Sequence, residues 1–176
     1  MVEYKLVFTG TTGAGKTTAI NAISETAPIS TDVENSDATI EKSHTTVGLD
    51  FGQITLANGD RVRLFGTPGQ TRFDFMWKIL VKDAFGLIIL IDNSRPDPLA
   101  DLDVYLEGFS EEIRAIPCVI GIGRSESYSV PSLDDFAERL SEYEITLPIL
   151  PVDVRRADDV IMLIDVLMAQ SESDLV

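Results

Sequence analysis

The chain has 176 residues, 44% of them hydrophobic, enough for one domain with a sizeable buried core. Lys and Arg total 14 against 29 Asp and Glu, a formal net charge of -15 at pH 7, which repels phosphate backbones and anionic lipid headgroups and argues against nucleic acid or bare membrane as a partner. The single cysteine, Cys118, excludes an intramolecular disulfide, and its apolar setting in IPCVIGI is that of a buried strand in a reducing compartment.

Tyr4 to Phe8 reads as a first short strand. It runs into Gly10-Thr11-Thr12-Gly13-Ala14-Gly15-Lys16-Thr17, a match to G-x-x-x-x-G-K-[ST], and helical spacing follows over Thr17 to Ser24. Strand, glycine-rich loop and helix in that order are the context that makes the motif a phosphate site. Its glycines let backbone N–H groups curl around phosphates, and the helix aims the positive end of its dipole at them. Lys16 adds a mobile positive charge at the outer phosphates, and the Thr17 hydroxyl is a ligand for Mg²⁺. The nucleotide set at this loop is Gly10, Thr12, Gly13, Ala14, Gly15, Lys16, Thr17 and Thr18.

Pro28 to Val47 is rich in Ser, Thr, Asp and Asn without a sustained apolar period, and reads as a long functional loop. Strands are expected at Phe51 to Leu56 and Val62 to Phe65, joined by Ala57-Asn58-Gly59-Asp60, a tight-hairpin signal that makes one strand antiparallel, at an edge. Further strands fall at Leu87 to Ile91, Cys118 to Ile122 and Ile149 to Val152, with helical stretches at Leu99 to Ile113, Leu133 to Leu140 and Val160 to Met168. The alternation predicts an α/β fold of the P-loop NTPase type. It comprises six strands in a mixed, mainly parallel sheet with helices on both faces. One domain spans 1–176, with the tail from Ser171 frayed.

The most apolar stretch, Phe85 to Ile91, is far short of the roughly 20 residues that cross a bilayer. The N-terminus carries no long apolar signal segment and no glycine at position 2, and the C-terminus SESDLV has no prenylation cysteine. A cytoplasmic protein without direct membrane insertion is expected.

Four segments together resemble the small Ras-like GTPases, in particular a prokaryotic branch of predicted GTP-binding proteins related to the bacterial gliding-motility and polarity switch. They are the P-loop, Thr45-Thr46-Val47-Gly48-Leu49-Asp50-Phe51-Gly52, the run Leu64-Phe65-Gly66-Thr67-Pro68-Gly69-Gln70-Thr71-Arg72-Phe73, and the strand ending Gly121-Ile122-Gly123-Arg124. The resemblance implies GTP and GDP as ligands and Mg²⁺ as cofactor. Thr46 would be the first-switch threonine that binds the metal and senses the γ phosphate, with Thr45 as its competitor. Gly69 would meet the γ phosphate through its backbone N–H, and Gln70 would orient the attacking water, so that Gln70, Lys16 and Thr46 form the catalytic set.

Most members carry aspartate where this chain has Gly66, and Asp50 or another nearby carboxylate is expected to compensate unless the metal is held more weakly. Thr12 narrows the space for an arginine supplied by a partner, and Arg72 is an internal candidate for that charge. The usual guanine-reading motif is replaced by Gly123-Arg124-Ser125-Glu126, in which the Glu126 carboxylate and the Arg124 stem remain to meet the base. Asp153, Val154 and Arg155 align with the last base-contacting loop. The resemblance implies a switch whose state is read by an effector or activator, by analogy a roadblock-type homodimer that stimulates hydrolysis.

Two other readings stay open. Gly66, Thr12 and Gly123 also fit a nucleotide-binding module, for GTP or ATP, that hydrolyses little. An ATP-dependent small-molecule kinase would need a lid and second substrate site, and no inserted segment is long enough. Phe73-Asp74-Phe75-Met76-Trp77 is either a buried staple beneath the second switch or an exposed partner surface.

Overall fold

Glu3–Gly10 forms β1, whose last five residues are buried because it lies at the centre of the sheet. The computed structural model describes residues 1–26, 29–33, 47–70 and 73–173. Around β1 stand β2 (Ile29–Val33), β3 (Val47–Thr55), β4 (Arg61–Gly66), β5 (Gly86–Asp92), β6 (Cys118–Gly123) and β7 (Ile149–Val152), in the order β2-β3-β4-β1-β5-β6-β7.

All six expected strands are present, and the α/β class with a mainly parallel sheet holds. The seventh strand, β2, falls inside the segment read as loop. Its sequence Ile-Ser-Thr-Asp-Val alternates β-branched and polar residues, but over five positions that period is too short to stand out from polar surroundings. β2 also moves the edge: β3 runs antiparallel to both β2 and β4, as the hairpin signal required, yet it lies one place inward, with β2 outside it. In the hairpin, Gly59 takes φ +88° and the Leu56 N–H donates to Asp60 O at 2.7 Å.

The helices are α1 (Lys16–Ile23), α2 (Asp74–Val81), α3 (Pro98–Gly108), α4 (Ser110–Ala115), α5 (Leu133–Glu142) and α6 (Ala157–Ser173). Side-chain alternation on β5 explains their division. Leu87, Ile89 and Ile91 enter a core with Trp77, Tyr105, Phe109 and Phe136 of the α2 to α5 side. Ile88 and Leu90 enter the opposite core with Ile20 of α1 and Val160, Leu163 and Leu167 of α6.

The single helix expected over Leu99 to Ile113 divides at Phe109, beside Gly108, where an added Cβ would lie 2.9 Å from the Trp77 ring. Trp77 therefore needs a glycine there, and glycine weakens the helix. α6 continues through Ser173, so the first three residues of the segment expected to fray are helical. Among the described residues no helix is long and apolar enough to cross a membrane.

The parallel strands β4, β1, β5, β6 and β7 point the same way, so their C-terminal ends share one edge. β1 sits where the chain order reverses, between β4 and β5, and that reversal opens a crevice at its C-terminal end. The P-loop leaves from this point. Because the Phe8 side chain is fully buried in the core beneath it, Phe8→Ala should cost about 3 to 5 kcal/mol in denaturant unfolding; a loss under about 1 kcal/mol would mean the core beneath the loop is not packed as described.

Candidate nucleotide-binding site

The loop that follows β1 turns on Gly10, Gly13 and Gly15, all at positive φ, and Gly15 at +101° starts α1. No side chain caps this helix, which leaves its first N–H groups for an anion. A Cβ on Gly15 would meet Val154 Cγ2 at 2.6 Å, so the loop after β7 packs directly on the phosphate loop.

Lys16 is 7% exposed, and its Nζ donates to Gly10 O at 2.6 Å and to Thr11 O at 2.9 Å. Burial pulls its pKa from 10.5 to about 8, with Asp50 opposing that shift. The ammonium is thus held at a cost that, among the described residues, two carbonyls and one carboxylate offset. Thr17 lies one step on, and its hydroxyl donates to Asp50 Oδ2 at 2.5 Å.

Two cavities flank the loop. One, of about 870 Å³, is lined by Gly13 to Thr18 of the loop, by Arg124 and Glu126 after β6, and by Asp153, Val154 and Arg155 after β7. These are the residues expected to meet phosphates and base, and the fold brings them to one cleft. The other, of about 550 Å³, is lined by Thr11, Thr12, Gly69, Gln70, Arg95, Asp101, Val104 and Tyr105. Gly10 lines neither cavity; its carbonyl receives the Lys16 ammonium. Thr46 and its competitor Thr45, together with Arg72, lie outside the described residues.

Gly69 is pressed onto the loop: a Cβ there would fall 2.5 Å from Thr12 N and 2.7 Å from Thr12 Cα. Backbone cannot step aside, so position 69 admits glycine alone in this arrangement. Gln70 follows on the surface of the second cavity. Trp77 resolves the aromatic cluster: it is buried, stacks on Tyr105 and Phe109 at 5.1 and 5.3 Å, and donates from Nε1 to Pro68 O at 3.2 Å. It is a staple that ties α2 to the Gly66 to Gly69 turn, while Phe75 beside it is 63% exposed.

At the base side, Arg124 sits at φ +59° and its guanidinium pairs with Asp92 at the end of β5. The head of the side chain is thus anchored to a second residue lining the same cleft. Glu126 lines the same cleft and makes no ion pair among the described residues. Asp153 is bound to Arg155, whose guanidinium and backbone N–H hold its carboxyl down at about 2.

Several contributors escaped the motif reading. Asp92 and Asn93 are buried polar residues closing an apolar strand, and Asn93 Nδ2 donates to Pro131 O at 3.0 Å and to Tyr128 O, fixing the loop that carries Arg124 and Glu126. Asp159 accepts from Asp153 N at 2.8 Å and Arg95 pairs with Asp101 at 2.6 Å. The only signal for Asp92 and Asn93 was polarity at the C-terminal end of a buried parallel strand, where open α/β sheets bind ligands.

A family model described as 50S ribosome-binding GTPase matches residues 5–123, from β1 through β6 and so across the phosphate loop and the Gly69 turn, ending one residue before Arg124. The chain belongs to this GTPase family. The domain is also similar to an uncharacterized protein of Methanocaldococcus jannaschii, 28% identical over 93 residues, 53% of this chain and 53% of that one. It is similar to the intraflagellar transport protein 22 homolog of Rattus norvegicus, 24% identical over 115 residues, 64% of this chain and 59% of that one. The chain thus spans little more than half the length of these curated relatives.

In fold it is similar to the G domain of the T. maritima FeoB iron transporter, with a TM-score of 0.67, 16% identity, and 96% and 99% of the two chains covered. It is equally similar to the bacterial selenocysteine-specific elongation factor EF-Sec, with a TM-score of 0.67 and 17% identity, over 98% of this chain and 29% of that one. Membership in the GTPase family supports binding of GTP and its hydrolysis by this domain.

Lys16 gives a test without ligand. Its folded pKa lies below the unfolded 10.5, so the unfolded chain binds more protons between about pH 8 and 10.5 and stability rises with pH across that window. The nucleotide-free protein should gain unfolding free energy from pH 8 to 10.5 relative to Lys16→Met, and parallel profiles for the two would contradict the buried ammonium.

Proposed function

We propose that this GTPase domain works as a cytoplasmic molecular switch. GTP with Mg²⁺ occupies the cleft on the P-loop, a protein partner reads the conformation of the segments around Thr46 and Gly69, and hydrolysis to GDP and phosphate resets it. The observation that supports this reading is the seat of Gly69 on Thr12, in the loop on which this reading sets the γ phosphate. Gain or loss of that phosphate bears directly on the contact, and Trp77, bonded to Pro68, couples the turn to α2.

Within this reading Gly10, Thr12 to Thr18 and Gly69 hold the phosphates. Arg124, Glu126, Asp153, Val154 and Arg155 surround the base and sugar. Lys16 draws off charge from the β and γ phosphates as they separate, and Gln70, facing the second cavity, holds the attacking water in line. Oxygen donors suit Mg²⁺, and Thr17 offers a hydroxyl beside the Asp50 carboxylate, with Thr46 as the further ligand. Among the described residues no three His, Cys, Asp or Glu side chains stand together, so phosphate oxygens would have to complete the coordination. When bound, the metal would neutralise phosphate charge.

The partner is a protein rather than nucleic acid or a lipid surface, in keeping with a net charge of -15. Exposed Phe75 and Ile79, one turn apart on α2, lie beside the turn and supply an apolar face for it. The likeness of the switch segments to the bacterial polarity branch favours an activator of the roadblock type. A second reading, a nucleotide-binding module of little activity, is favoured by Thr12 and by the glycine at 66.

Single-turnover phosphate release separates the two. The wild-type protein should release phosphate slowly from bound GTP, and Gln70→Leu should slow it about tenfold or more while leaving nucleotide affinity within about twofold. No release from the wild type, with GTP recovered intact, would leave only the binding module.

A further inference from the structure

The residue opposite Gly66 on the neighbouring strand is Asp50. A Cβ added to Gly66 would stand 3.1 Å from Asp50 Cβ, 3.3 Å from Asp50 Oδ2 and 3.4 Å from Ile20 Cδ1. The Asp50 side chain therefore leans across the end of β4 into the space that a side chain at 66 would need. From there Oδ2 reaches the Thr17 hydroxyl at 2.5 Å, at the head of α1. Lys16 attracts it only from a distance, since Nζ is bonded to Gly10 O and Thr11 O, and among the described residues Asp50 makes no ion pair.

This is an awkward place for a lone carboxylate if phosphates are to bind. Two anions would then converge on one hydroxyl, and like charges at such range repel unless a cation stands between them. Thr17 hydroxyl, an Asp carboxylate and phosphate oxygens are hard oxygen donors of the kind a small divalent cation takes.

We propose that Asp50 is the carboxylate of the divalent-cation site, reaching from β3 into the position that β4 leaves empty at Gly66. The proposal rests on the nucleotide reading above and adds who holds the metal and why residue 66 is glycine. A side chain at 66 would crowd Asp50: its Cβ alone would make Asp50 give by a few tenths of an ångström, and a carboxylate there would compete for the same space beside Thr17. The acidic group has changed strands, and its oxygen still arrives beside Thr17.

The rate of release of a fluorescent GDP analogue from the full chain, titrated with Mg²⁺, tests this together with thermal melts. In the wild type Mg²⁺ slows release. Asp50→Asn keeps the shape and removes the charge, and should raise the Mg²⁺ midpoint about 10- to 100-fold, while release in chelator is no faster than in the wild type because the repulsion of phosphate is gone. Gly66→Asp should lower the melting temperature by crowding Asp50, and the exchange Asp50→Gly with Gly66→Asp should recover both stability and metal dependence. An unchanged Mg²⁺ midpoint in Asp50→Asn, even with a lower melting temperature, would make Asp50 a mere hydrogen-bond partner of Thr17 and overturn the proposal. Failure of the wild type to retain the analogue at all would instead overturn the guanine-nucleotide reading and the proposal with it.

Discussion

Holding the Lys16 ammonium inside a loop of carbonyls is the constraint around which the rest of the molecule is arranged. The charge is nearly buried and, among the described residues, answered by Gly10 O, Thr11 O and the more distant Asp50, so the free protein carries a desolvation cost that arriving phosphate would relieve. A loop that does this has to turn through positive φ at three glycines, and it needs a rigid strand beneath and a helix start beyond. β1 supplies the first by sitting at the centre of the sheet. α1 supplies the second by beginning without a side-chain cap.

Everything else approaches that loop from the same edge. The Gly69 turn rests on Thr12, the loop after β7 rests on Gly15 through Val154, and the loop after β6 is pinned by Arg124 to Asp92 and by Asn93 to Tyr128 and Pro131. The first two contacts are made close by glycine, and the last two are made by side chains. Gly69 is in turn linked to α2 through Pro68 and Trp77.

Much of this was legible in the residues. The P-loop is a local motif, and its strand and helix flanks carry strong periodic signals. The hairpin at Asn58-Gly59 announced the antiparallel strand. β2 was not legible because five half-polar residues cannot be told from loop without the partner strand beside them. The break at Phe109 depended on a tertiary fact, the Trp77 ring against Gly108. Asp92 and Asn93 have no motif of their own, since what they hold lies some 30 to 40 residues further along the chain. Asp50 was suspected from what Gly66 lacks, but only the strand register and the space over Gly66 tie the two together.

The central claim is that the cleft takes a guanine nucleotide with a divalent metal, even though Gly123 offers no side chain where the usual guanine-reading motif has one. Titration calorimetry of nucleotide-free protein with GDP, a GTP analogue, ADP and an ATP analogue, each with and without Mg²⁺, tests it most directly. Tight, guanine-selective binding strengthened by Mg²⁺ is the predicted result. Equal or tighter binding of the adenine nucleotides would contradict the account and leave an ATP-binding module on the same fold.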